Sequence, residues 1–167
     1  MDKNKQPINN VEWVDVDKLS ANDYNPNVVF SDEMNLLRFS ILHNGWIQPI
    51  LCTQDYVIID GFHRATLAKK FEDVRVDGKV PVVIMNLSEP ERMMLTIRIN
   101  RAKGSHIALK MHDIVTKLVN DYGVSTDVIC KEIGAQKQEV ELLLMENVFQ
   151  KKKINETTQY SKAWYPG

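Results

Sequence analysis

The sequence predicts an α+β fold: a small sheet with packed helices, followed by a helical segment at the C-terminal end. Three observations carry that expectation. Short runs rich in β-branched and apolar residues recur through the first half of the chain, at residues 13–16, 46–51, 57–59 and 80–85. Helical apolar spacing lies between and after them, and residues 108–150 read as three helices. A chain of 167 residues suits one domain with a small helical appendage and is long enough to bury a proper core. The apolar share of 44% and charged share of 26% are ordinary for a globular chain, and a net charge of −1 gives no whole-chain electrostatic grip on DNA. A local basic patch is still compatible with that balance.

Residues 1–10, MDKNKQPINN, are polar and are read as a flexible tail. They lack the apolar centre of a signal peptide, and nowhere do about 18 apolar residues run together as a membrane helix needs. Trp13, Val14, Asp15 and Val16 alternate as a half-buried strand does and lead into the turn-rich SANDYNPN. Ser31, Asp32 and Glu33 open a helix with a cap and early acids. Met34, Leu37, Ile41 and Leu42 form its buried stripe, and Asn44 and Gly45 end it. Residues 46–51 make the next strand, in which Pro49 argues for an edge or a strand start.

Residues 55–71, DYVIIDGFHRATLAKKF, hold the densest chemistry. Val57, Ile58 and Ile59 make a buried strand, Asp60 and Gly61 a turn signal, and Ala65, Leu67, Ala68 and Phe71 a helical stripe. Strand, glycine turn and helix in that order aim the first N–H groups of the helix, and the positive end of its dipole, at whatever lies above the strand end. Phosphate is the usual occupant of such a place. His63 and Arg64 fall in the first helical turn, where acids would compensate the dipole, so an external anion is anticipated there. Arg64 offers a planar fork to phosphate oxygens, and His63 a second donor or a proton-transfer group. The plainer reading of both is a solvated helix start. Asp60 also reads in two ways: as the N-cap of the helix, or as a residue with a general-base, hydroxyl-binding or metal role.

Residues 40–71, SILHNGWIQPILCTQDYVIIDGFHRATLAKKF, resemble the N-terminal domain of the ParB/sulfiredoxin superfamily. The matching features are the helix ending in Asn44 and Gly45, the strand through Gln48, Pro49 and Ile50, and the hairpin into Asp60-Gly61-x-His63-Arg64. The resemblance implies a small mixed β-sheet with packed helices over residues 11–106. In ParB proteins the equivalent motif reads like Gly-Glu-Arg-Arg and holds the triphosphate of CTP; in sulfiredoxins it reads Gly-Cys-His-Arg and works with ATP. By that likeness Gln48, Pro49, Gly61, His63 and Arg64 contact a nucleotide, Mg²⁺ accompanies ATP or CTP, and Asp60 is a candidate Mg²⁺ ligand. Asp60 and His63 are the candidates for catalysis. Phe62 stands at the position of the sulfiredoxin cysteine, which argues against sulfinic-acid reduction. Residues 23–27, DYNPN, resemble the superfamily's Asn-Pro-Arg segment with Asn27 in place of the arginine; an Asx-type turn is the alternative.

Residues 80–85 form another buried strand after the turn at Asp77 and Gly78. Ser88, Glu89, Pro90 and Glu91 then cap a helix whose Met93, Met94, Leu95 and Ile97 face the core. Residues 97–106, IRINRAKGSH, crowd Arg98, Arg101, Lys103, Ser105 and His106 together, with Gly104 free to take an unusual backbone angle. Such a cluster is costly unless solvated or paired with anions. Arg98 and Arg101, at i and i+3, would flank a triphosphate from the side opposite Arg64. ParB proteins carry Glu-Asn-Ile-Gln-Arg here. Alignment on the final arginine adds Arg98, Asn100 and Arg101 to the implied nucleotide contacts, beside Ser105 and His106, and places Ile97 at the acidic position. Metal-assisted hydrolysis of the ParB kind therefore lacks one ligand. The spelling Arg-x-Asn-Arg-Ala-x-Gly-x-His, with the aromatic tail from Tyr160 to Trp164, resembles the IbrB-like branch. Those small proteins are usually encoded beside a phosphoadenosine-phosphosulfate-reductase-like protein, which implies such a partner.

In the helical segment, residues 107–150, Met111, Ile114, Val115, Leu118, Val119 and Tyr122 form one apolar face closed by Gly123. Ser125, Thr126 and Asp127 cap a second helix carrying Val128, Ile129 and Ile133. Gly134 and Ala135 turn into a third with Val140, Leu142, Leu143 and Leu144. Short helix, glycine turn, helix is helix-turn-helix geometry, and ParB proteins carry one at this point. The outward side of the third helix is Gln136, Lys137, Gln138, Glu139, Glu141 and Glu146, whose carboxylates would repel a phosphate-lined groove. A packing or dimer element is favoured over base-specific reading of DNA. In residues 151–167 a run of three lysines is read as a solvated linker, and Tyr160, Trp164 and Tyr165 as a tail that docks on its own fold, a second subunit or a partner.

Cys52 and Cys130 sit in separate apolar settings with no second ligand nearby, so neither a disulfide nor a zinc site is expected. Two free thiols suit a reducing cytoplasm. The leading functional expectation is a ParB-like protein that binds ATP or CTP, hydrolysing it slowly or using it to switch assembly as a homodimer or with a partner. The alternatives are a DNA-binding transcriptional co-regulator with a vestigial pocket, and a small-molecule kinase like the superfamily members that phosphorylate serine, with Asp60 on the acceptor hydroxyl. Nuclease activity is not expected, because no cluster of acidic metal ligands is visible.

Overall fold

The computed structural model describes residues 1–22, 31–103 and 108–145. In chain order its elements are β1 (Val11–Asp15), α1 (Ser31–Asn44), β2 (Ile50–Thr53), β3 (Ile58–Asp60), α2 (Phe62–Lys70), β4 (Lys79–Met85), α3 (Glu89–Ala102), α4 (Ala108–Asn120), α5 (Thr126–Ile133) and α6 (Lys137–Leu144), with short 3₁₀ turns between some of them. The four strands make one mixed sheet in the order β1-β4-β2-β3. β4 runs antiparallel to β1 and parallel to β2, and β2 runs antiparallel to β3. The unbroken apolar run of β4 explains its inner place, since a strand buried on both faces has no use for alternation. Pro81 lies one residue before the parallel pairing begins, at Ile50 with Val82, and opposite Trp13 in the antiparallel one. Pro49 immediately precedes β2, the strand start that its chemistry suggests.

Two apolar cores divide the chain. The first packs α1 and α2 on the sheet and includes Met34, Ile41, Ile50, Cys52, Leu67 and Val82. The second joins Met93, Met94 and Ile97 of α3 to Ile114, Leu118, Ile129 and Val140 of the helices that follow. α3 therefore belongs by packing to the helical segment, although it also lies along β3, where the Thr96 hydroxyl approaches the Ile59 carbonyl at 3.5 Å. Several apolar residues assigned to buried stripes face outward instead. Leu42, Tyr122, Val128 and Leu142 are exposed, and Leu95 is half-buried. In α1 the cause is plain: six of its side chains are apolar, and the sheet-facing wall takes only Met34, Leu37 and Ile41. Leu36, Phe39 and Leu42 are left on the solvent side, where Phe39 stacks on His43.

The caps follow the local chemistry. At the head of α3 the Ser88 N–H and hydroxyl both donate to one Glu91 oxygen, at 2.8 and 2.6 Å, which holds the Glu91 carboxyl below its ordinary range. Ser125 Oγ accepts from the Val128 N–H at the head of α5. A left-handed Gly134 stops α5 and turns the chain into α6. Elsewhere Arg38 of α1 pairs with Asp73 and lies over the Phe71 ring, while Trp46 donates to the Val74 carbonyl at 2.8 Å. These contacts fasten α1 to the turn behind α2.

Cys52 is fully buried in β2, and burial, with the Glu12 carboxylate adding to it, pushes its thiol up to about 11. In the unfolded chain a thiol ionises near ~8.5, so unfolding becomes progressively easier as pH rises from there to about 11. The melting temperature of the wild type is expected to fall more steeply across that window than that of Cys52→Ala, each compared with its own neutral value. A thiol-labelling reagent should reach the half-buried Cys130 of the folded chain well before the buried Cys52.

Candidate functional site

β3 ends at Asp60 and α2 begins at Phe62, so Gly61 alone makes the turn, at φ 94° and ψ 22° in the left-handed region. The space is as restrictive as the backbone: a Cβ on Gly61 would stand 3.3 Å from the Ile50 Cα and 3.2 Å from the Arg64 guanidinium. Gly61 occupies the N-cap position, and no side chain caps α2. The N-cap reading of Asp60 is thereby corrected. The left-handed residue takes the cap position itself, and the Asp60 carboxylate is held between two cations instead.

One of those cations is Arg64, whose Nη2 lies 3.3 Å from Asp60 Oδ2. Its Nη1 donates to the Gln48 and Pro49 carbonyls at 2.6 and 2.7 Å. A single guanidinium thus ties the glycine turn to the loop ahead of β2. Its side chain is only 12% exposed, and desolvation pulls its pKa below the ordinary arginine value while Asp60 opposes the shift. The other cation is Lys103, whose Nζ sits 2.7 Å from each Asp60 oxygen. Lys103 closes the C-terminal end of α3, and it is the described residue through which the basic stretch near position 100 reaches the glycine turn.

At the head of α2 the Ala65 N–H is bonded to the Gly61 carbonyl. The N–H groups of Phe62, His63 and Arg64 precede it and have no carbonyl within the helix to use. No acid stands in that first turn, and His63 is exposed, its ring edge-on to Phe62. The result is a helix end rich in donors, with a half-exposed lysine beside it.

Arg98 and Arg101 do not converge on this turn. Arg98 Nη1 donates to Glu132 at 3.1 Å, and Arg101 pairs with Glu139 while its Nη2 reaches the Gly134 carbonyl at 3.3 Å. The expectation that they flank the phosphates opposite Arg64 is corrected accordingly. Burial of Met93, Met94 and Ile97 fixes the roll of α3, and that roll turns the two guanidinium groups toward α5 and α6. Asn100 is exposed on α3, and Gln48 is exposed with its carbonyl, not its amide, on Arg64. Ser105 and His106, the segment 23–27 and the aromatic tail lie outside the described residues. Because Arg101 engages Glu139, the outward side of α6 carries fewer free carboxylates than the sequence alone indicates; Glu146 lies outside the described residues.

Among the described residues no group of three or more His, Cys, Asp or Glu could hold a metal ion, and no helix is long and apolar enough to cross a membrane. A separate polar cavity of about 270 Å³ lies at the other end of the sheet, between the β2–β3 hairpin and the start of α3. Its walls include Thr53, Asp55, Asn86 and the ion-paired Glu89 and Arg92.

A small mixed sheet whose glycine turn presents uncapped helix amides beside Arg64, His63 and Lys103 defines an α+β domain with a donor-rich, cationic turn. The sequence profile of the ParB N-terminal domain matches residues 1–100, and the chain belongs to that family. It is 37% identical over 166 residues to the uncharacterized protein YbdM of Escherichia coli (strain K12), covering 96% of this chain and 78% of YbdM. It is 28% identical over 141 residues to the probable chromosome-partitioning protein ParB of Rickettsia felis, covering 82% of this chain but 47% of that protein. The chain thus spans about half the length of the Rickettsia relatives it matches. Among solved structures, the C-terminally truncated chromosome-partitioning protein ParB from Caulobacter crescentus, complexed to the centromeric parS site, aligns with a TM-score of 0.53 at 19% identity. That alignment covers 83% of this chain and 75% of the other, and it is a likeness of fold. None of these three likenesses distinguishes the IbrB-like branch or points to a reductase-like partner.

Proposed function

We propose that this domain binds a nucleoside triphosphate, ATP or CTP, by its polyphosphate at the turn formed by residues 60–64. The observation that carries the reading is the head of α2: three amides with no carbonyl within the helix to use, no acid and no capping side chain, opened by a left-handed Gly61. Such an end supplies directed donors and half a positive charge, which suits phosphate oxygens. His63 stands where it adds a donor from solvent. Arg64 serves chiefly as a positioning residue, because its guanidinium is spent on two carbonyls and Asp60. Membership of the ParB family supports the reading, together with the resemblance of residues 60–64 to the family's phosphate motif. A Mg²⁺–nucleotide takes most of its oxygens from phosphate and water and asks one or two carboxylates of the protein. Asp60 is the carboxylate in place, and the ion's chemistry there would be to neutralise phosphate charge.

Thermal stabilisation by the Mg²⁺ salts of ATP, CTP, GTP and UTP tests this directly. At about 100 times Kd a bound nucleotide adds ~2.7 kcal/mol, which is roughly 5–10 °C for a chain of this size. His63→Ala, at an exposed position, is expected to leave the unliganded melting temperature unchanged and to reduce the shift. Arg64→Ala should remove it. No shift with any nucleotide, or a shift unaffected by both substitutions, would refute the proposal.

A further inference from the structure

We propose that Asp60 is an internal anion that competes with ligand phosphate for the cations of this site, and that Lys103 is the group that changes partner. The inference rests on the nucleotide reading above and specifies how the site discriminates.

Arg64 and Lys103 differ in their freedom to move. Arg64 is nearly buried and fixed by two carbonyl oxygens in addition to Asp60. Lys103 has a flexible four-carbon stem, its side chain is 49% exposed, and its ammonium meets both oxygens of Asp60 at 2.7 Å. An ion pair so open to water is weakly held. A polyphosphate at the head of α2 brings more negative charge than one carboxylate and would draw the ammonium away, while Asp60 keeps Arg64. Until that happens the ammonium is held on Asp60 and is not offered to an anion approaching the α2 amides. The bridge therefore sets a threshold: a weakly charged anion gains too little to break it, and a polyphosphate gains enough. The aspartate ahead of the glycine acts in this account as a specificity-determining residue, and Lys103 as a phosphate contact that the ligand-free chain stores on it.

The two partners of the bridge should then have opposite effects on binding, although both lose the same contact. Calorimetric titration with inorganic triphosphate, in the absence of divalent metal, compares the wild type with Asp60→Asn and Lys103→Met. Asp60→Asn is expected to bind triphosphate about fivefold more tightly, the factor an exposed ion pair of this kind represents. Lys103→Met is expected to bind it about fivefold more weakly, and the unliganded melting temperature should fall further for Asp60→Asn, which also gives up the contact with Arg64. If both substitutions shift affinity in the same direction, or Asp60→Asn leaves it unchanged, the bridge is merely structural and the proposal fails. A wild type that binds Mg²⁺–ATP or Mg²⁺–CTP through His63, combined with that result, removes the exchange and leaves the nucleotide reading standing. A wild type that binds no nucleotide removes both.

Discussion

Gly61→Val is expected to destabilise the chain by about 3 kcal/mol or more and to abolish nucleotide binding in the same step. At φ 94° a β-branched residue pays both the left-handed penalty and a rotamer restriction. The new Cβ would press on the Ile50 Cα at 3.3 Å, and Ile50 is fully buried in the first core, so the backbone there has nowhere to go. The remaining escape is to displace the Arg64 guanidinium, which gives up its bonds to Gln48 and Pro49. Hydrogen bonds to a charged group are worth about 1.5–3 kcal/mol each, so neither escape is cheap. Denaturant unfolding measures the loss. Gly61→Val unfolding within a few tenths of a kcal/mol of the wild type would show that the turn relaxes and that its geometry is not what holds Arg64.

Met93→Ala is expected to cost about 2–5 kcal/mol, the range for emptying a fully buried methionine site, and to act unevenly over the molecule. Met93 belongs to the second core, with Leu118, Ile129 and Val140. Native-state hydrogen exchange should therefore accelerate in α4, α5 and α6 while the amides of β2 and β4 keep their protection. Equal loss of protection in both regions would mean that the two cores open as one unit.

The local chemistry of this chain was readable in its residues, and the non-local geometry was not. The β-branched runs gave the strands, Ser88 with Glu91 and Ser125 gave the caps, and the glycine after Asp60 gave the turn on which the site is built. Each of those is decided within a few residues. The stripe of α1 was misassigned at Leu42 because both faces of that helix are apolar, so periodicity alone has nothing to choose between. Arg98 and Arg101 were misplaced for a different reason: their partners, Glu132 and Glu139, come more than thirty residues later and are brought in by the packing of α3. Lys103 stood in the basic cluster without a role, since nothing near it in sequence says that the C-cap residue of α3 reaches Asp60.

The order of the sheet has a bearing on how the chain assembles as it is made. Among the described residues β1 pairs with β4 alone, Val11 opposite Val83 and Trp13 opposite Pro81, and β4 is also the parallel neighbour of β2. A nascent polypeptide leaving the ribosome can close the β2–β3 hairpin early, because that contact is local. Its first strand, by contrast, must wait with its ladder unsatisfied until residues 79–85 have emerged, and loop closure over that span comes at an entropic cost. The strand of this sheet that is synthesised before the other three is therefore among the last of them to be secured, and until then its edge is open to whatever else pairs with strands.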